Sequence, residues 1–197
     1  MSPQFNSASF LTSATKLKQC PPDKGSEIAF CGRSNAGKSS AINALSRQKS
    51  LAKTSKTPGR TQLINFFSLR ETIRLVDLPG YGYAKVPTAV KNHWHIHLDE
   101  YLRNRKCLKG LVLLVDIRHG LKPFDEMMLD WSQTVNIPLH ILLTKADKLK
   151  RGQQQNTLLG FRKQLRDPIT IQIFSAKRAL GLDVLENKLR EWIKDEI

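Results

Sequence analysis

Gly32-Arg33-Ser34-Asn35-Ala36-Gly37-Lys38-Ser39 sets two glycines, a lysine and a hydroxyl in the spacing G-x-x-x-x-G-K-S. Holding a polyphosphate is the chemistry this run can do. Phosphate oxygens need many donors in a small concave space. Gly32 and Gly37 let the backbone come close to them. Consecutive amides, among them those of Arg33, Ser34, Asn35 and Ala36, then form a nest at the positive end of the following helix. Lys38 is placed to reach the β- and γ-phosphate oxygens, and the Ser39 hydroxyl to bind Mg²⁺.

Such a loop needs a strand before it and a helix after it. Ile28-Ala29-Phe30-Cys31 is an apolar run of strand length, and Ala41-Ile42-Asn43-Ala44-Leu45 is helix-forming. Downstream, Gln62–Leu69 and Thr72–Asp77 are predicted as two strands around a tight turn, hence antiparallel. Gly110–Ile117 and Pro138–Leu143 are near-continuous apolar runs, as expected for parallel strands covered on both faces. Ile169, Ile171 and Ile173 alternate with polar residues. Helices are expected at roughly 88–104, 124–135 and 152–166. A last helix carries Leu182, Leu185, Leu189, Trp192 and Ile193 on one stripe. Strands alternating with helices predict an α/β, doubly wound, mostly parallel sheet of six strands, with one antiparallel edge strand and helices on both faces. Ligands of such sheets bind at the carboxyl ends of strands. The domain is expected over residues 26–197, with residues 1–25 as an arm that carries no chemistry.

The chain has 197 residues, 40% of them hydrophobic, enough for a single core with modest extensions. Its three cysteines, Cys20, Cys31 and Cys107, are odd in number and widely spaced. That argues against a disulfide framework or a structural zinc site and fits a reducing cytoplasm. No apolar run approaches the ~20 residues that span a bilayer, and the N-terminus does not read as a secretory leader. Lysine and arginine number 32 against 17 acids, a formal charge of +15. A nucleotide pocket does not need that excess, which suggests a polyanionic partner, RNA first. The segment Arg47–Arg60 holds five cations and no acid. In 145–166, Lys145, Lys148, Lys150, Arg151, Arg162, Lys163 and Arg166 face the single acid Asp147.

Thr144-Lys145-Ala146-Asp147, at a predicted strand end, is similar to the N/T-K-x-D loop with which GTPases read guanine. A carboxylate at Asp147 accepts from guanine N1–H and its 2-amino group. Adenine offers neither, and a buried charge left unpaired discriminates on the order of 10⁴-fold. The Lys145 stem is expected to cover the base plane. Thr144 stands where asparagine is commoner and is expected to brace the loop less well. Ser175-Ala176-Lys177, one strand later, resembles the loop whose amides meet guanine O6. Asp77 and Gly80 match D-x-x-G, with Asp77 holding Mg²⁺ through water and the Gly80 amide sensing the γ-phosphate. Thr61 is the candidate switch threonine on Mg²⁺, and both segments would be ordered by triphosphate and released by diphosphate.

Together with Thr57-Pro58-Gly59-Arg60-Thr61-Gln62 and Asp77-Leu78-Pro79-Gly80-Tyr81-Gly82-Tyr83-Ala84, these motifs resemble the EngB (YihA/YsxC) family of bacterial GTPases from about residue 26 onward. The resemblance implies a cytoplasmic GTPase acting in assembly of the large (50S) ribosomal subunit, with a link to cell division and septation. It implies GTP or GDP as nucleotide, rRNA and the large subunit as partners, and a monomer. It also implies nucleotide contacts at Gly59, Arg60, Thr61, Gln62, Leu63, Leu78, Pro79, Phe174 and Ala176.

Two departures from Ras-like GTPases bear on hydrolysis. Tyr81 follows Gly80 where those proteins carry a water-orienting glutamine, so slow intrinsic hydrolysis is expected. Asn35 is the candidate ligand of a catalytic K⁺, as in related potassium-activated GTPases; the alternative is an Asn35 amide that merely bonds the loop backbone. Lys38, Thr61 and Asn35 thus make the expected catalytic set. His93, His95 and His97 surround Trp94 without the acid or cysteines of a metal motif and are read as structural. Trp131 and Trp192 are read as core. Two other functions fit the phosphate loop: a nucleotide-gated scaffold of the division site, with incidental hydrolysis, and a P-loop kinase or ATPase.

Overall fold

The structure, a computed structural model, describes residues 4–53, 63–81 and 98–193. Gly59–Gln62, Gly82–Ala84 and His93–His97, all singled out above, lie outside the described residues. Strands β1 (Ser9–Ala14), β2 (Ser26–Gly32), β3 (Ile64–Ser68), β4 (Ile73–Asp77), β5 (Leu108–Asp116), β6 (Leu139–Thr144) and β7 (Thr170–Ile173) form one sheet in the order β1-β3-β4-β2-β5-β6-β7. Every pairing is parallel except the two made by β3, which runs antiparallel to β1 and β4. Helices are α1 (Lys38–Leu45), α2 (residues 98–104), α3 (Pro123–Thr134), α4 (Arg151–Arg162) and α5 (Leu182–Trp192).

The apolar strands are buried on both faces, and alternate side chains feed two separate cores. Ala29, Cys31, Leu111, Leu113, Ile141 and Leu143 join Tyr101 of α2, Met128 of α3 and Leu158 of α4 on one face. Ile28, Phe30, Val112, Leu114 and Leu142 join Ile42 of α1 and Leu185 and Leu189 of α5 on the other. Trp131 and Trp192 lie at the margins of these cores, partly buried. Gly110 has no side chain because Trp192 lies there: a Cβ would come within 2.1 Å of its ring.

The α/β class stands, but the sheet has seven strands among the described residues, against the six expected. The seventh is β1, from the arm. Its burial runs from exposed at Ser9 to buried at Ala14, without the alternation that marks a strand in sequence. What makes it a strand is the unpaired edge of β3, which it covers from Ser9↔Ser68 to Ala14↔Ile64.

Candidate nucleotide site

The C-terminal ends of β2, β4, β6 and β7 carry the predicted motifs. Gly32 ends β2 hard against β5, and a Cβ there would lie 2.8 Å from the Leu114 carbonyl oxygen. The chain then turns through left-handed Asn35 (φ 64°) and Gly37 (φ 98°). Asparagine tolerates that region better than most residues, which is reason enough for its presence. α1 starts directly after Gly37, which offers no side-chain cap, so among the described residues no N-cap side chain competes with an anion for its positive end. The Asn35 side-chain amide makes no hydrogen bond among the described residues. The Asn35 backbone carbonyl oxygen accepts from Lys145 Nζ at 2.6 Å.

Lys38 Nζ donates to the Asp77 carboxylate, and both side chains are largely buried. This pair joins the phosphate loop to the end of β4. On the other side, Thr144 Oγ1 lies 2.5 Å from the Ala36 carbonyl and 3.2 Å from that of Val115. The hydroxyl is buried there, so Thr144 braces the phosphate loop directly. Lys145 takes a left-handed backbone (φ 57°) and sends its ammonium across to Asn35 and to Asp116 Oδ2 at 3.0 Å.

The 144–147 and 174–176 loops are stitched together. Phe174 N donates to Leu143 O at 2.9 Å and Ala146 N to Phe174 O at 3.2 Å. Ser175 Oγ donates to Asp147 Oδ1 at 2.6 Å, and this bond holds the Asp147 carboxyl below its ordinary pKa. Leu78, Pro79 and Phe174 are buried. Leu63, Arg33, Ser34, Gly37, Ser39, Gly80 and Ala176 are partly accessible. Gly59, Arg60, Thr61 and Gln62 lie outside the described residues, as does the histidine cluster.

Asp116, at the end of β5, has no counterpart in the sequence reading. Burial works against its charge, but hydrogen bonds from Arg118 and Lys145 outweigh that and hold the carboxyl well below the usual range. Its place at the end of a central parallel strand was the available signal. A cavity of about 280 Å³ lies beside it, between the phosphate loop and α3, lined by Arg33, Asn35, Arg118, His119, Lys122 and Asp125 among others.

Tyr81 follows Gly80, at the position where Ras-like GTPases carry the water-orienting glutamine. Its side chain does not project toward the phosphate loop's open side. The ring is buried against Phe124, with centroids 4.0 Å apart, and the hydroxyl donates to the Asp125 carboxylate. Burial, with Cys31 and Asp125 nearby, pushes the phenol pKa far up.

A phosphate loop after the first parallel strand of a doubly wound sheet, with an S-A-K turn after the last, is the fold of the P-loop GTPases. The family model described as 50S ribosome-binding GTPase matches residues 27–145, and the chain belongs to that family. It is a GTP-binding protein and a GTPase. A crystal structure of a probable GTP-binding protein engB matches at 25% identity and TM-score 0.70, covering 86% of this chain and all of that one. A variant of Aquifex aeolicus Era, bound to GDP·AlF₄⁻, matches at 20% identity and TM-score 0.66, covering 86% of this chain and 57% of Era. A GTP-binding protein from Sulfolobus solfataricus in complex with GDP matches at 18% identity and TM-score 0.58, covering 87% of this chain and 53% of that one. The last two likenesses concern the fold alone.

Proposed function

We propose that this GTPase is a Mg²⁺-dependent switch in assembly of the large ribosomal subunit. In this reading the 32–39 loop holds the phosphates and Asp147 reads guanine. The observation that carries the nucleotide reading is the bridge between these two places: Lys145 Nζ on Asn35 O and Thr144 Oγ1 on Ala36 O lock the base-reading loop onto the phosphate loop. The Ser175 hydrogen bond lowers the Asp147 pKa further, favouring the carboxylate form that accepts from guanine. The Ser39 hydroxyl would hold Mg²⁺ directly and the Asp77 carboxylate would hold it through water, both being hard oxygen donors of the kind Mg²⁺ takes. Bound there, Mg²⁺ would offset charge developing on the phosphoryl oxygens. Lys38, in the same reading, exchanges Asp77 for phosphate, a like-for-like charged hydrogen bond. The free Asn35 amide is the candidate K⁺ ligand, and Thr61 the second side chain on Mg²⁺.

The ribosomal reading rests on the family's description and on charge. Lys148, Lys150, Arg151, Arg162, Lys163 and Arg166 lie on and around α4, with no acid between residues 148 and 166. Arg47, Lys49 and Lys53 are exposed beyond α1. Such cations bind phosphodiesters with an affinity that falls steeply with salt. A role in cell division follows in this reading from subunit supply.

Sedimentation with ribosomal subunits tests it. The protein should travel with the large subunit in a non-hydrolysable GTP analogue, much less in GDP, and dissociate as KCl rises. Equal association in both nucleotides, or association indifferent to KCl, would overturn the proposal.

A further inference from the structure

The chain beyond β4 continues onto the phosphate loop. Leu78 N donates to Phe30 O at 3.0 Å, Tyr81 N to Gly32 O at 3.4 Å, and Ser34 N to Tyr81 O at 2.8 Å. Arg33 and Tyr81 form a parallel bridge. The fit is close: a Cβ on Gly80 would lie 3.3 Å from both Cα and N of Ser34. The Tyr81 side chain anchors this segment to α3. It is 3% exposed, stacks on Phe124 and donates to Asp125. The other oxygen of Asp125 accepts from Lys122 N at 2.9 Å, so one carboxylate caps α3 and holds the tyrosine.

Sheet order gives the direction a nucleotide would run. The base-reading loops follow β6 and β7, the phosphate loop follows β2, and Asp77 and Gly80 follow β4 on the far side of β2. A nucleotide with its base at Asp147 therefore aims its terminal phosphate toward β4. On that side two donors of the phosphate loop are engaged within the chain, Lys38 on Asp77 and Ser34 N on Tyr81 O. The first turn of α1, nearer the base, carries no N-cap side chain among the described residues. A diphosphate uses that turn together with Lys38, which leaves Asp77 for the β-phosphate. A third phosphoryl group also needs Ser34 N, the donor that Tyr81 O holds.

We infer that Tyr81 and Asp125 are positioning residues that set the preference between di- and triphosphate, by latching residues 77–81 to α3 while Ser34 N is held. The inference rests on the nucleotide assignment above. A ligand shifts such an equilibrium only by its differential affinity for the two arrangements. Weakening the latch therefore tightens triphosphate binding and leaves diphosphate binding in place.

Tyr81→Phe keeps the ring on Phe124 and removes the hydroxyl. Affinities of the full chain for GDP and for a non-hydrolysable GTP analogue, both with Mg²⁺, are measured by fluorescent-nucleotide titration. The analogue-to-GDP Kd ratio should fall on the order of tenfold, the scale of a lost hydrogen bond to a charged group. Asp125→Asn should move the ratio in the same direction, and the double variant no further than either alone. A general packing defect weakens both nucleotides together; that result, or a ratio unchanged from wild type, overturns the latch. Wild-type protein that binds ATP as well as GTP would instead sink the nucleotide assignment beneath it.

Discussion

At the N-terminal ends of β2 and β4, Glu27 is fully buried. Its oxygens accept from Arg74 Nε at 2.8 Å, Tyr101 Oη at 2.9 Å, and Arg105 Nε and Nη2 at 2.8 and 2.6 Å. The guanidinium groups donate onward to carbonyls of Pro21, Pro22 and Lys24. At the C-terminal ends of the same strands, Lys38 pairs with Asp77 beside an uncapped helix start and a left-handed turn. Both ends carry buried charge, and they differ in what surrounds it. Below, the carboxylate and both guanidinium groups have partners within the chain. Above, the pair sits next to a helix start that no N-cap side chain caps among the described residues. Burial of charge alone does not mark a site; charge beside unspent donors does.

That contrast breaks first at Asp147. Asp147→Asn exchanges a carboxylate for an amide at a partly accessible position that supports no core. It should leave thermal stability near wild type. The preference for GTP over xanthosine triphosphate should fall on the order of 10⁴-fold, because the amide donates where guanine donates. Competition binding with GTP, XTP and ATP reads this directly. An unchanged guanine preference would move the base-reading site elsewhere.

The lower end should give the opposite result. Glu27→Gln leaves two guanidinium groups buried against a neutral amide, and losing one member of a buried charge network costs about 3–5 kcal/mol. Urea unfolding should show that loss, while GDP affinity of the still-folded fraction stays unchanged. A variant that instead kept its stability and lost nucleotide would erase the distinction between the two ends.

The difference between the ends also explains what could be read in the sequence. Residues 32–39, 144–147 and 175–177 are short contiguous runs at the ends of apolar strands, so motif and context coincide. Glu27 meets partners 47, 74 and 78 residues away, and Tyr81 meets Asp125 across 44. No local spacing signals such pairs. Nothing local to Tyr81 signals that Phe124 and Asp125 draw it into the core. Residue type does not show that Thr144 lies within reach of Ala36, 108 residues away. The arm hides β1 because an edge strand half exposed to solvent has no apolar period.

A single strand, β6, carries the comparison in its smallest form, with His140 near its start and Asp147 just beyond its end. His140 is 2% exposed, between Thr170 Oγ1 at 2.7 Å and Gln172 Oε1 at 2.9 Å. Burial lowers its pKa from 6.5 to about 4, although the Gln172 bond opposes the shift. The folded chain thus keeps His140 neutral while the unfolded chain protonates it. Its contribution is complete above pH 6.5 and is lost as pH falls toward 4, amounting to about 2 kcal/mol by about pH 5. Urea midpoints at about pH 7.5 and pH 5 should therefore lie further apart in wild type than in His140→Gln, which cannot titrate. Asp147, with its pKa lowered, stays charged across the same interval, so GDP affinity should change little where stability drops. Equal pH slopes in wild type and His140→Gln would show that the lower end of β6 carries no titrating load. Parallel loss of stability and GDP affinity would mean the two ends of the strand are not independent.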